Sequence, residues 1–172
     1  KVNQIKAYIR AGDCIQTVRS QRFSVGKVTH DFNIYRSLRS LNPSPYMFYF
    51  RHHNLRLIGS SPEMLVRKRK RCVETRPIAG TRPRGKTNEE DQMFEAELCR
   101  SKKEMAEHLM LVDLGRNALG RVCDVATIRV SDFAHVERYS PGMHLGTNVH
   151  GKLKKGKDSF DLLRACFPAG TV

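Results

Sequence analysis

The feature that most constrains the fold is one long helical segment between two stretches of strand character. Thr87 and Glu90 have the T-x-x-E spacing of a capping box, and acidic side chains at the start of the segment favour the positive end of a helix dipole. The pattern predicts one helix from Thr87 to about Asn117, because Gly120 lies just beyond that end. The fold class then depends on what the flanking segments form.

The flanking segments are mostly strand-like, with short helices near both ends of the chain. Strands are expected at 15–23, 46–50, 55–58, 64–69, 72–75, 126–130, 136–139 and 143–149. Helices are expected at 2–11, 29–40 and 158–165, and a Gly- and Pro-rich loop at 76–86. This order predicts an α+β domain over residues 1–172 with a large, mainly antiparallel sheet.

The charge of the chain predicts an anionic partner. Lys and Arg number 31 against 17 Asp and Glu, a formal net charge of +14, which suits nucleic acid, a membrane surface or a carboxylate substrate. The densest basic runs, at 66–71 and 151–157, lack the interleaved aromatic side chains of a base-stacking surface. We interpret them as solvated strand edges or turns, and a nucleic-acid partner is not expected.

Cysteine use and hydropathy indicate the compartment. The five cysteines are scattered, contain no C-x-x-C pair and are odd in number. This pattern favours a reduced, cytoplasmic protein over a disulfide framework. No apolar run approaches the roughly 18 residues that a membrane-spanning helix needs, so no membrane partner is expected.

Two features could carry chemistry. Glu104 and Glu107 share one stripe of the predicted helix, and Mg²⁺ commonly takes one or two protein carboxylates. The same spacing also fits a solvated charged face, the commoner case, and the neighbouring His108 is more typical of a structural histidine. The loop 79–85 offers backbone N–H groups and two arginines, Arg82 and Arg84, to a carboxylate or phosphate, or serves as a structural turn.

Several long strings make the pattern specific. "NPSPYMFYF", "IGSSPEMLVR", "RPIAGTRPRG", "VERYSPGMHL" and "DLLRACFPAGTV" follow one another in this order. The chain therefore resembles the chorismate-utilising enzymes over essentially all of its length, and within them the large subunits (component I) of anthranilate synthases. The resemblance implies an α+β fold in which large antiparallel sheets are surrounded by helices, and it implies an internal fragment of a longer subunit.

The resemblance also implies catalytic roles. Glu107 matches a glutamate that binds the active-site Mg²⁺, and Glu104 matches a second acidic residue near that metal. Glu63 matches the general acid that protonates the departing C4 hydroxyl of chorismate, a step that needs a proton donor because hydroxide leaves poorly. His144 matches an active-site histidine beside the substrate ring.

Further matching positions concern the substrate. Ala79, Gly80 and Thr81 match a loop that lines the chorismate pocket. Isochorismate- and salicylate-forming relatives carry a lysine at the position of Gln16, and aminodeoxychorismate synthases often carry one at the position of Ala79. The absence of both lysines implies ammonia addition at C2 and loss of pyruvate, which gives anthranilate.

The implied function is the first committed step of tryptophan synthesis. Ammonia would come from a glutamine amidotransferase subunit, and tryptophan would inhibit by binding at Pro45, Tyr46 and Met47. Two alternatives stay open. One is an aminodeoxychorismate synthase component I, and the other is a non-catalytic basic binding module on the same scaffold.

The chain also departs from the family pattern. Ala118 stands where a carboxylate is usual, and Ser101 and Lys102 replace an acidic pair. Pro141 and Gly142 are expected to disturb the strand that carries His144. The resemblance places further metal and substrate ligands beyond Val172, so this piece by itself is expected to bind chorismate poorly and not to turn it over.

Overall fold

In a computed structural model that describes residues 1–26, 28–139 and 142–170, the chain forms a mixture of helices and antiparallel strands. The helices are α1 (Val2–Ala11), α2 (Asp31–Leu41), α3 (Asn88–Arg100), α4 (Lys102–Val122) and α5 (Ser159–Cys166). The strands are β1 (Tyr46–His52), β2 (Leu55–Ser61), β3 (Met64–Arg69), β4 (Cys72–Arg76), β5 (Ile78–Arg82), β6 (Arg129–Tyr139) and β7 (Gly142–Lys152). The predicted α+β class is confirmed.

The described strands form two antiparallel sheets. β1 and β2 make a hairpin in which Tyr46 pairs with Ser61 and His52 with Leu55. In the second, five-stranded sheet, β7 is central, with β6 along one edge, β4 and β5 in turn along the other, and β3 outside β4. β7 can serve three strands because it is 11 residues long.

The two faces of β7 differ because side chains of a strand alternate between faces. One face is fully buried and carries Met143, Leu145, Thr147 and Val149. Val112 and Leu119 of α4 pack against Val149 in the larger of two hydrophobic clusters. The opposite face carries His144, Asn148 and His150, which are half-buried or exposed. The helices therefore cover one face of the sheet and leave a polar face on the other side.

The predicted long helix is two helices. Ser101 leaves the helical conformation (φ −71°, ψ 106°), and its hydroxyl accepts a hydrogen bond from the backbone N–H of Glu104, the first turn of α4. Serine competes well for such N-cap positions. The predicted cap at Thr87 is confirmed, since its side chain accepts a bond from the N–H of Glu90. The reciprocal half of the predicted capping box differs, because the Glu90 carboxylate accepts from the N–H of Lys86 instead of Thr87.

Three strand-level predictions were wrong. Residues 15–23 form no regular structure, and Ile15 and Phe23 are 84% and 83% exposed, because no described strand pairs with them. The expected loop 76–86 contains β5, whose backbone pairs with β7. The two strands expected at 126–130 and 136–139 are the single strand β6, with an irregularity between Ser131 and His135 that breaks its alternation.

Two expectations about the whole chain concern disulfides and membranes. All five cysteines are free, as the sequence predicts. Within the described ranges, no helix combines the length and the apolar character needed to cross a bilayer.

Candidate active site

Glu63 lies in the connection between the two sheets, directly before β3. Its carboxylate Oε1 accepts a hydrogen bond of 3.2 Å from the backbone N–H of Ile78, which begins β5. Burial raises the pKa of Glu63, against the opposing effects of that hydrogen bond and of the charge of His144. Glu63 remains an exposed residue, and a raised pKa is the direction that a proton donor requires, so Glu63 is the candidate for that role.

His144 is held on the polar face of β7 by β5. Its Nδ1 lies 2.8 Å from the carbonyl oxygen of Gly80 and 3.2 Å from the hydroxyl oxygen of Thr81. Because a carbonyl oxygen only accepts, the short contact requires that Nδ1 carries the proton. In the neutral ring, Nε2 is then the nitrogen that can accept a proton or hydrogen bond from a ligand.

Gly80 brings β5 close to α4. Its φ of +67° lies in the left-handed region, and an added Cβ would meet Leu98 Cδ1 at 2.8 Å and Glu104 Cβ at 3.3 Å. Glycine allows both the backbone conformation and this approach. The neighbouring Ala79 is buried and pairs with Leu145 of β7. The loop predicted to line the pocket is thus a strand in contact with both His144 and Glu104.

Glu104 and Glu107 occupy successive turns at the beginning of α4, and both are half-buried. The Glu104 carboxylate lies 3.7 Å from Arg82 Nη1 and 3.6 Å from Lys103 Nζ. In the parts of the chain that the structure describes, no cluster of three or more metal-ligating side chains occurs. Two carboxylates suit Mg²⁺, which completes its octahedron with water and substrate, but they do not form a closed protein cage.

His108, next to Glu107, has a structural environment. It is fully buried, and its Nε2 lies 2.6 Å from the hydroxyl oxygen of Thr147 on the inner face of β7. Burial lowers the pKa of His108. The interpretation of His108 as a structural histidine therefore agrees with its position between α4 and the sheet.

A cavity of about 270 Å³ borders Glu63. This volume is near the lower end of the range for small-molecule sites, about 300–1,000 Å³. α4 supplies part of the apolar wall, and Ala118 belongs to that part. The position at which the resemblance implies a carboxylate is thus an alanine in the wall of the cavity that borders Glu63. His144 and Glu104 are not among its described lining residues.

The structure brings some predicted site residues together and leaves others apart. Hydrogen bonds and close approaches join Glu63, the strand 78–82, His144 and Glu104. Gln16 lies in the irregular segment before α2, and none of these contacts includes it. The predicted inhibitor residues Pro45, Tyr46 and Met47 lie at the beginning of the β1–β2 hairpin.

Both arginines of the loop are already paired with acids of the chain. Arg82 Nε lies 2.9 Å from Glu97, and Arg84 binds both carboxylate oxygens of Asp91. Their predicted availability to an anionic ligand is therefore reduced. The predicted disturbance at Pro141 lies outside the described residues, whereas Gly142 begins β7 in register with Tyr139.

Sequence reasoning missed a second polar cluster on the same face of the sheet. Glu137 is buried and contacts Arg76, His135 and Tyr139, and Tyr139 lies beside His144. The i, i+2 spacing of 135, 137 and 139 places these side chains on one face of a strand. That spacing was the available indication, but the sequence alone does not show that β6 pairs with the strand of His144.

The geometry can be compared with known proteins. The model of the chorismate binding enzyme family matches residues 1–172. Over 171 residues, the chain is 54% identical to anthranilate synthase component 1 of Acetivibrio thermocellus and 54% identical to that of Aquifex aeolicus. Each alignment covers 99% of this chain and 35% of the relative. The chain therefore belongs to the chorismate binding enzyme family and spans about a third of these curated relatives.

A solved structure supports the same relationship. The crystal structure of anthranilate synthase component I from Streptococcus pneumoniae superposes with a TM-score of 0.87 at 40% sequence identity. The superposition covers 99% of this chain and 37% of that protein. The fold that the sequence strings implied is therefore confirmed.

Proposed function

We propose that this chain forms part of the active site of an anthranilate synthase component I, which converts chorismate and ammonia to anthranilate and pyruvate. The observation that carries the proposal is Glu63, a carboxyl group whose pKa is raised by burial and which borders a cavity. The 54% identity to anthranilate synthase component 1 of two bacteria supports the reaction class.

Each residue of the site has a separate proposed role in the reaction. Protonated Glu63 donates to the C4 oxygen of chorismate, which leaves as water while ammonia adds at C2. The Nδ1–H of His144 is held by Gly80, so Nε2 is directed to the substrate ring. Ala79, Gly80 and Thr81, which the family resemblance assigns to the pocket wall, are proposed to position the substrate beside His144; they are not among the described lining residues of the cavity at Glu63. Loss of pyruvate together with the C2 proton then makes the ring aromatic and gives anthranilate.

Glu107 is proposed to hold Mg²⁺, with Glu104 as a second acidic residue near that metal. The two carboxylates lie one helical turn apart, and Mg²⁺ commonly takes one or two protein carboxylates. When bound, the ion supplies the positive charge that attracts the ring carboxylate of chorismate. The Ser101 cap fixes the first turn of α4 and therefore the position of Glu104.

A glutamine amidotransferase subunit is the proposed source of ammonia, and tryptophan the proposed inhibitor at Pro45, Tyr46 and Met47. A connection through the backbone supports the inhibitor site. Tyr46 pairs with Ser61 in the hairpin, and Ser61 exchanges hydrogen bonds with the backbone of Glu63. A ligand that moves the beginning of β1 would therefore also move the general acid.

The metal role of Glu107 can be tested in the complete protein that contains this chain. Glu107→Gln keeps the shape of the side chain but removes its charge, so Mg²⁺-dependent anthranilate formation should be lost. Asp113→Asn is the matched control, because Asp113 is an exposed carboxylate on the same helix, paired with Arg116. Retained activity in Glu107→Gln would remove Glu107 from the metal site.

Product analysis in the same assay separates the two enzyme alternatives. Anthranilate is expected, since Gln16 and Ala79 replace the lysines of the other chorismate enzymes. Accumulation of 4-amino-4-deoxychorismate would instead favour an aminodeoxychorismate synthase component I.

One observation favours a second candidate, the basic binding module. The two basic runs meet at one end of the sheet, where Cys72 pairs with Lys152 and Arg71 donates to the carbonyl oxygen of Leu153. A nucleic-acid titration over increasing salt tests this candidate, because phosphate contacts make affinity fall steeply with salt. A weak response that does not change with salt would leave the enzyme as the better proposal.

A further inference from the structure

A buried carboxylate lies next to His144 on the polar face of the five-stranded sheet. Glu137 of β6 is only 8% exposed. Its Oε1 lies 2.5 Å from Arg76 Nη2 and 2.8 Å from His135 Nε2, and its Oε2 accepts a hydrogen bond from the Tyr139 hydroxyl. A buried charge is tolerated when it is paired and hydrogen-bonded on several sides, and such a set of partners fixes its position.

The sheet provides the space for this carboxylate. A Cβ atom added at Gly146 of β7 would collide with Oε1 of Glu137. Gly146 therefore leaves a gap in β7 that the Glu137 side chain fills. The Glu137 carboxylate thus lies over Gly146 of β7, which is two residues along that strand from His144.

Tyr139 connects Glu137 to His144. The ring centroids of Tyr139 and His144 are 5.9 Å apart, and Glu137 and His144 are direct partners in the β6–β7 ladder. Burial and then the bond to Glu137 raise the pKa of Tyr139 to about 12. The phenol therefore remains a hydrogen-bond donor at neutral pH, and Glu137 holds its ring in place beside the imidazole.

The imidazole ring of His144 is thus bounded on two sides. β5 holds Nδ1 through the carbonyl oxygen of Gly80. On the β6 side, the neighbouring Tyr139 ring limits rotation of the imidazole about its Cβ–Cγ bond. If Tyr139 were released, the ring could turn, and the bond that selects the Nδ1–H tautomer would weaken.

We propose that Glu137 is a positioning residue for His144: through Tyr139 it keeps Nδ1–H on Gly80 and leaves Nε2 free for a ligand. The identity of that ligand as chorismate rests on the proposed function, whereas the positioning itself does not. Arg76 pairs with Glu137, and its role is to hold the carboxylate.

The test is the tautomeric state of His144, measured by ¹⁵N NMR on the histidine-labelled chain. The wild-type chain should show His144 with Nδ1 protonated and an NOE between the Tyr139 and His144 rings. Glu137→Gln cannot accept hydrogen bonds from all three partners, so the Nδ1–H population and the NOE should both decrease. Spectra of the core methyl groups of Leu119 and Val149 should stay unchanged, which separates loss of positioning from general unfolding.

Two further variants keep the test decisive. Tyr139→Phe retains the ring and removes only the hydroxyl bond to Glu137. It should shift the His144 signals in the same direction as Glu137→Gln. This variant still tests the positioning of His144 if Glu137→Gln does not fold. Glu74→Gln is the matched control, because Glu74 is also paired with an arginine, Arg67, at 2.7 Å, on the same sheet. Unchanged His144 signals in the folded Glu137 or Tyr139 variant, or an equal change in Glu74→Gln, would overturn the proposal.

Addition of chorismate to the complete protein that contains this chain, labelled as wild type and as Glu137→Gln, separates this inference from the proposed function, because the piece by itself is expected to bind chorismate poorly. If chorismate leaves the wild-type His144 signals unmoved while Glu137→Gln changes them in the ligand-free protein, the substrate assignment fails and the positioning role stands. If chorismate moves the wild-type signals and Glu137→Gln has no effect, the positioning role fails and the proposed function stands. In the complete enzyme, Glu137→Gln should lower turnover by about 10- to 100-fold, since a misplacement of about 1 Å can cost that much.

Discussion

The first 61 residues and the five-stranded sheet that follows them differ sharply in burial. No described residue of 1–26 or 28–61 is buried, although the region contains two helices and a hairpin. Residues 64–170 contain both hydrophobic clusters, with Leu119, Leu145 and Val149 fully inaccessible. Local sequence patterns therefore form secondary structure in both regions, but they produce a core only where α4 covers a sheet.

The hairpin region is held together on one face only. α2 packs on it through Phe32, Tyr35 and Tyr49, whose rings lie 5.1–6.2 Å apart. On the other face, Phe48 and Leu57 are each 47% exposed. The catalytic candidates lie in the sheet region or at its border, and the proposed inhibitor residues lie in the hairpin region. The catalytic candidates are thus found in or beside the region that has a buried core.

The largest expected difference between the regions is the cost of losing an apolar side chain. Leu119→Ala should lower the free energy of unfolding by about 3–5 kcal/mol, because it leaves a cavity in a closed core. Leu57→Ala, the same change on the exposed hairpin face, should cost less than about 1 kcal/mol. Urea unfolding of both variants measures this. Equal losses would show that the hairpin face is buried in solution.

A smaller difference is expected between two glycines with positive φ. Gly12 ends α1 at φ +87°, and no atom lies within 4 Å of an added Cβ. Gly12→Ala should therefore cost only the backbone strain, about 1–2 kcal/mol. Gly80→Ala adds a collision with buried Leu98, which should lower the free energy of unfolding by a further amount of about 1–3 kcal/mol. Thermal unfolding compares the two variants. A cost for Gly80→Ala no greater than for Gly12→Ala would contradict the close approach of β5 to the helices.

The smallest expected difference is in how the free energy of unfolding depends on pH. The contributions of Asp31 in the hairpin region and of Glu63 at the border of the sheet region have opposite signs. Partial burial alone would raise the pKa of Asp31 in α2, but hydrogen bonds from Tyr49 and Arg56 and the charge of Arg56 lower it below 3.8. Its stabilising effect is present above that pH and is lost as the pH falls. Burial raises the pKa of Glu63 above 4.5, so its effect is complete below 4.5 and is lost as the pH rises through the raised value.

Unfolding free energies measured from pH 3 to pH 8 check both signs. Asp31→Asn should remove part of the loss of stability at low pH, and Glu63→Gln should remove part of the loss at higher pH. Parallel pH profiles for wild type and Glu63→Gln would mean that the Glu63 carboxyl group is not desolvated.

Glu63, His144 and the 79–81 segment were predicted from strings of residues. In the structure Glu63 bonds to Ile78 at the start of β5 and His144 bonds to Gly80 of the same strand, and their catalytic roles stay predictions. The break at Ser101 was missed because the apolar periodicity continues through it, and only the cap geometry reveals two helices. Residues 15–23 have the alternation of a strand, but a strand also needs a partner backbone.

The sequence by itself determined the elements with local causes: the cap at Thr87, the positive-φ glycines, the strand alternation of β7 and the charge of +14. It also contained the strings that identify the family. Only the tertiary structure decided that β6 pairs with β7, that Gly146 makes room for Glu137, and that the Glu63 carboxylate accepts a hydrogen bond from β5. These depend on contacts between residues far apart in the chain, and on burial, which a local pattern does not encode.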